Sequence, residues 1–248
     1  MTLLQLVTDR YNRTARFLPA VLVVVPLIVL AVTAIPVAVG IAGKVAAAAT
    51  FCLPVLVSQA VRDRGLRAEP GLFETWGGRP SELLLRWRDA PAPAVVARRH
   101  RLVATHLGVE LPNAAAEQAD PVEADALYAV ATAALRERTR ERARFPLVYE
   151  EVISYGLRRN GFACRAPGIA VCGLAIVCTL VLAYWAIVPL GWKQQAALVG
   201  FDLVWAAVWL RWFTMGSVRR AAEKYAEQLF VSLETLGTAA TVSTPEEP

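Results

Sequence analysis

The chain has 248 residues, 56% of them apolar and only 19% charged, with a mean hydropathy of +0.43. Ordinary domains run at about 45–50% and about 25%, so a collagen-like, disulfide-scaffold, disordered or ordinary cytosolic-enzyme reading fits poorly. The net charge of +5 rests on 26 basic residues, all Arg except Lys44, Lys193 and Lys224, and Arg is a permanently charged planar fork suited to phosphate.

Taken in chain order, residues 1–16 place Leu3, Leu4, Val7 and Tyr11 on one helical stripe, with Arg10 and Arg13 elsewhere. That pattern predicts an amphipathic helix at the inner membrane interface, serving as a plain anchor or as a gating latch. Segment 17–61 is a long apolar stretch with a single charge, Lys44. As one helix it would be about 67 Å long, over twice the hydrocarbon core of about 30 Å. It is therefore expected to be a transmembrane hairpin, with helices near 17–36 and 42–61. The turn falls around Pro36, Gly40 and Gly43, and Pro26 and Pro54 kink the spans.

Segment 62–165 holds seventeen Arg against fourteen Asp and Glu. It also holds core material such as Leu72, Trp76, Tyr128 and Phe145, and little β-branched alternation, so a mainly helical cytoplasmic domain is expected. Helices are predicted over 79–89, 94–108 and 122–144, a loop over 111–121, and a last helix from Pro146 to about 159. Segment 166–215 reads as a second hairpin, with spans near 167–189 and 195–215. In 216–248, Val218, Ala222, Tyr225, Leu229, Leu233 and Leu236 form a near-heptad stripe that would pack on the central domain or on a second copy. TVSTPEEP at the end reads as a disordered tail.

The fold class is thus an all-α membrane protein: two hairpins, four spans, flanking a helical domain. The Arg bias places both termini and the central domain in the cytoplasm. Cys52, Cys164, Cys172 and Cys178 lack metal spacing, so neither zinc nor a disulfide is expected, and no cofactor is implied.

Enzyme signatures are absent: no GxxxxGK[ST], GxSxG, HExxH or CxxC occurs, and His100 and His106 fall on different helix faces. The arginines carry most of the polar information. On a helix reaching 144, Arg136, Arg140 and Arg144 would share a face. Arg98, Arg99 and Arg101, with Arg86 and Arg88 upstream, form a second group. With Trp76 and Trp87 nearby, these groups suit a nucleotide phosphate and a stacked base. Solvated, ion-paired faces are the preferred reading of these groups, and anionic lipid would account for some of them. Arg158, Arg159 and Arg165 read as positive-inside anchors. Asp202 is the outstanding residue of the apolar segments. Trp205, Trp209 and Trp212 follow it at +3, +7 and +10, so the four share a face turned to a bundle interior, a subunit interface or a water path. Otherwise Asp202 sits near the outer interface.

Three stretches carry a resemblance: RYNRTARFLPAVLVVVPL at 10–27, ETWGGRPSELLLRWRD at 74–89 and RTRERARFPLVYEEVISYGLRRNGF at 138–162. Together they resemble an uncharacterised bacterial family of four-span membrane proteins. In the last stretch Val152 stands where that family usually has Asn. The layout is also similar to that of membrane effectors of anti-phage nucleotide signalling, the Hailong-type receptor channel. That likeness implies a homo-oligomer in the bacterial inner membrane. It would be opened by a nucleotide or short oligonucleotide from a neighbouring nucleotidyltransferase, with no duplex nucleic acid bound. The alternative is a non-catalytic scaffold that recruits a cytosolic partner.

Overall fold

The computed structural model describes residues 9–34, 41–185 and 190–240, the side chains of 34, 41–51 and 237–240 excepted. Every regular element among them is helical. A π-helical turn, Asn12–Phe17, runs into α1 (Leu18–Ala34). Then come α2 (Ile41–Trp76), α3 (Pro80–Leu83), α4 (Pro93–Leu107), α5 (Ala114–Ala119) and α6 (Pro121–Arg138). The chain continues with α7 (Pro146–Ala163), α8 (Arg165–Tyr184), α9 (Trp192–Trp212) and α10 (Met215–Ala240). The predicted latch residues Leu3, Leu4 and Val7, the turn at Pro36–Gly40 and the terminal tail lie outside the described residues.

Two compact units result: residues 1–70 with 153–218, and residues 71–152 with 219–248. These divisions fall inside α2, α7 and α10; α2 runs across the expected boundary at 61/62, and the junction of α7 and α8 lies at 163–165, beside the one expected at 165/166.

The first unit is built on α1, α8 and α9. Asn12–Thr33 and Arg165–Tyr184 are each long and apolar enough to cross a membrane. A third span is counted only if α9 and α10, bent by 48° at their junction, are taken together. α10 buries Leu229 and Leu233 completely in the core of the second unit, which argues against its lying in lipid. The packing fixes directions. Gly168 lies against the Trp209 indole, so α8 and α9 are antiparallel. Trp205 Nε1 donates to the Leu22 carbonyl at 2.8 Å, and Leu30 packs with Leu198, so α1 runs antiparallel to α9. Outward faces stay apolar: Leu174, Val177 and Leu180 on α8 and Leu203 and Val204 on α9 are each more than half exposed. Tyr184, Trp185 and Trp192 gather at one end, the place of an interfacial aromatic belt.

The second unit closes around Leu85, Val103, Tyr128, Leu135, Phe145, Leu229 and Leu233. Here the stripe of α10 finds its partner in the same chain. Several sequence expectations are corrected. α5 forms where a loop was expected, because Asn113 Oδ1 caps it by accepting from Ala116 N at 2.9 Å, ahead of an Ala run of high helix propensity. The helix expected over 79–89 stops at Leu83, because the Trp87 and Arg88 amides are drawn off to the Glu117 carboxylate. α6 ends at Arg138 and not near 144. Its buried stripe Ala124, Tyr128, Ala131 and Leu135 has no apolar successor, and the Thr139 hydroxyl donates back to the Leu135 carbonyl at 2.9 Å. Arg136, Arg140 and Arg144 therefore do not share a helix face.

Candidate functional site

In the second unit, Glu117 is the hub. Its carboxylate is 2% exposed. It accepts from the Trp87 amide at 2.8 Å, the Arg88 amide at 3.2 Å, Arg88 Nη1 at 2.9 Å and the Tyr128 hydroxyl at 2.6 Å. Burial alone pushes the carboxyl up, but the four donors outweigh it and hold Glu117 below its ordinary value. Burial and that short bond push the Tyr128 phenol up. Arg86 and Arg88 both reach Asp125, at 2.8 and 2.7 Å, and Arg86 Nη1 also donates to the Gly77 carbonyl. Trp87 Nε1 donates to the Pro112 carbonyl, and its ring meets His100 edge-on. His100 is half-buried on the Leu85 carbonyl at 2.7 Å.

The predicted nucleotide set is thus dispersed. Arg86, Arg88 and Trp87 are structural partners. Arg98 pairs with Glu234 and Arg140 with Glu137 at exposed sites. Arg101 and Arg144 are exposed and Arg136 half-buried, with Arg144 over the Phe145 ring.

What remains is a cleft of about 640 Å³ walled by Trp76, Leu83, Val95 and Val96, with α10 supplying Arg219, Glu223 and Glu227. Arg99 enters it half-buried, lying over the Phe230 ring and giving one N–H to the Leu84 carbonyl at 3.0 Å. Burial lowers its pKa, and Glu227 partly opposes the effect. Arg99 makes no ion pair among the described residues. Arg86 also lines the cleft, but it is already bound to Asp125. The lining is part apolar and sets Arg86, Arg99 and Arg219 against Asp89, Glu223 and Glu227; Arg99, the cation of these three without an ion pair among the described residues, suits a small organic anion. Of the predicted set, Trp76, Arg86 and Arg99 line it.

In the first unit, Asp202 is 2% exposed, on the buried face of α9. Its carboxylate makes no hydrogen bond or ion pair with any described residue, and Cys172 of α8 is within its electrostatic reach. Trp205 and Trp209 continue this inward face. Trp212 does not: it is 70% exposed at the helix end, so the column expected below Asp202 is two tryptophans long. Tyr11, the one predicted latch residue that is described, lies against Gly156, whose Cβ would fall 3.3 Å from the phenol oxygen.

The YGLRRN stretch holds what sequence reasoning missed. Arg159, expected to be an anchor at the membrane surface, is 7% exposed and donates to Glu69 at 3.2 Å. Glu69 also accepts from the Tyr155 hydroxyl at 2.7 Å. Asn160 is fully buried; its Nδ2 donates to the Ala15 carbonyl at 2.6 Å inside the π-turn. π-Turns are rare and often functional. The available signal was Asn and Gly flanking an Arg pair, a composition a solvated anchor does not need. Among the described residues no group of acidic, His or Cys side chains could hold a metal ion, and all four cysteines are free. Searches against protein-family models, curated proteins and solved structures find no match.

Proposed function

We propose that the chain is a membrane effector: a homo-oligomer of four-span subunits that conducts ions when the second unit binds a small phosphate-bearing signal of nucleotide type. The observation that carries this reading is Asp202. An ionised carboxylate at the centre of a span costs about 2.5–3.5 kcal/mol even on the most lenient scale. Such a cost is kept where the group meets water, an ion or a partner. Asp202 has no described partner, on an inward face, in a helix otherwise apolar from Ala196 to Leu210. The cleft beside Arg99 is the place for the signal, its apolar wall taking a base and Arg99 a phosphate.

In this reading α2 supplies the second span through 42–61 and α9 the fourth. The membrane is the bacterial cytoplasmic one, with both termini inside.

Ion flux from liposomes tests the proposal. Flux that appears with one member of a mononucleotide, cyclic-nucleotide and short-oligonucleotide panel, and disappears in Asp202→Leu and in Arg99→Gln, is the expected result. Flux that survives Asp202→Leu would remove this carboxylate from the path.

A second reading, a scaffold recruiting a cytosolic partner, draws support from one observation. Arg101 and Arg138 are exposed in the second unit and make no ion pair among the described residues, cations open to an acidic partner. It predicts no flux with any ligand and one protein co-purifying with the folded oligomer.

A further inference from the structure

One end of the first unit holds more guanidinium than carboxylate. α2 leaves the apolar cluster at Val61, which is 1% exposed, and the next residue is Arg62. Arg62, Gly65 and Glu69 follow at spacings of three and four and share a face of α2. That face meets α7. A Cβ at Gly65 would enter the Asn160 carboxamide and stand 3.4 Å from Arg159 Nε, and Glu69 accepts from Arg159 and Tyr155. Asn160 holds the Ala15 carbonyl, which brings Arg16 alongside, within electrostatic reach of Arg62, Arg159 and Asp9.

The acids are matched to two of the three cations. Glu69 pairs with Arg159, and Asp9 is the acid facing Arg16. Arg62 has no ion pair among the described residues, and its Nε is shut off from solvent without an acceptor. A small rotation of this half-buried side chain presents Nε and one Nη together, the bidentate edge that grips a phosphate.

We propose that Arg16, Arg62 and Arg159 form a phosphate site at the mouth of the helix bundle, filled by the headgroup of an anionic phospholipid. The depth selects a lipid over a free anion. Leu18, two residues after Arg16, and Leu56, six before Arg62 on α2, are 40% and 73% exposed, so an occupant meets apolar surface and guanidinium at once. Anionic leaflets also attract juxtamembrane basic residues. The proposal rests on the membrane reading of the first unit and is independent of conduction.

The test uses the full chain, purified and delipidated in detergent, followed by native mass spectrometry and thermal unfolding. It is titrated with dioleoyl phosphatidylglycerol, dioleoyl phosphatidylcholine or inorganic phosphate. Phosphatidylglycerol is expected to be retained and to raise the melting temperature, while phosphatidylcholine and inorganic phosphate leave both unchanged. Arg62→Gln should weaken phosphatidylglycerol binding about tenfold, the loss of one charge-assisted contact. Arg67→Gln, on an exposed position of α2, should leave it nearly unaltered. Arg62→Lys keeps the charge and serves if the glutamine variant fails to fold; it should bind more weakly than the parent. Equal retention of the two lipids, or equal losses at Arg62 and Arg67, would overturn the site. A response to inorganic phosphate alone would reassign it to a soluble anion. A chain that stays monodisperse without detergent would instead sink the membrane reading itself.

Discussion

Glu117 shows how one side chain decides local structure. Its oxygens compete for the Trp87 and Arg88 amides and end the short helix α3. Glu117→Ala leaves two backbone donors, a phenol and a guanidinium without their acceptor in a buried site. The expected cost is about 3 kcal/mol, read as a fall in the melting temperature of the detergent-solubilised chain. Glu117→Gln should cost less, since an amide oxygen still accepts.

Two groups of this cluster make the unit sensitive to acid. His100 has its pKa lowered by burial, the Leu85 hydrogen bond only partly offsetting this. Its neutral form is favoured in the fold, so stability is lost as pH falls below the ordinary His value of about 6.5. Glu117 is held below its ordinary value, so its contribution is present above the ordinary Glu value of about 4.3 and is lost as pH falls through the depressed one. Melting temperature against pH should therefore drop in two steps. His100→Asn removes the upper step and Glu117→Gln the lower; a single step common to both variants would refute the assignment.

At the scale of helices, long apolar runs were legible because burial period and length alone define a span. α8, a candidate span, overlaps most of the expected 167–189, and the helix α9 overlaps the expected 195–215 but counts toward a span only together with α10. The inward placing of Asp202 was legible from its spacing to Trp205 and Trp209. The ends of the short helices were not, because distant acceptors set them: a buried carboxylate for α3, and the want of an apolar residue after Leu135 for α6. The arginine face over 136–144 failed with that helix end, since a shared face needs an unbroken helix. Likewise, nothing local says that Arg159 turns inward; its acid, Glu69, is 90 positions away.

Close approach by glycine was equally hidden. Gly168 has no side chain where the Trp209 indole packs. Gly168→Ala should overpack this contact and destabilise by about 1–3 kcal/mol. Gly173→Ala, with no atom within 4 Å of the added Cβ, should be neutral in the same thermal assay. Adding Trp209→Leu to Gly168→Ala should recover part of the loss; no recovery would mean that the indole is not what the methyl meets.

Over the whole first unit, charge is polarised along the bundle. α1 and α8 begin, and α9 ends, at the side where Asn160 clasps Ala15 and Gly168 meets Trp209. Arg13, Arg16, Arg62, Arg64, Arg67, Arg158, Arg159, Arg165 and Arg211 all fall toward that side. Among residues whose side chains are described, Lys193, beside Trp192, is the one cation at the other end. On the proposed membrane reading, a bias this steep near span ends would put the basic side in the cytoplasm. In a background with all four cysteines replaced by alanine, Lys193→Cys should react with a membrane-impermeant maleimide on intact cells. Arg67→Cys should react only after the membrane is permeabilised. The reverse pattern would invert the orientation. Labelling of both positions in intact cells would mean that α8 and α9 do not separate two aqueous compartments, and the conduction reading of Asp202 would fall with it.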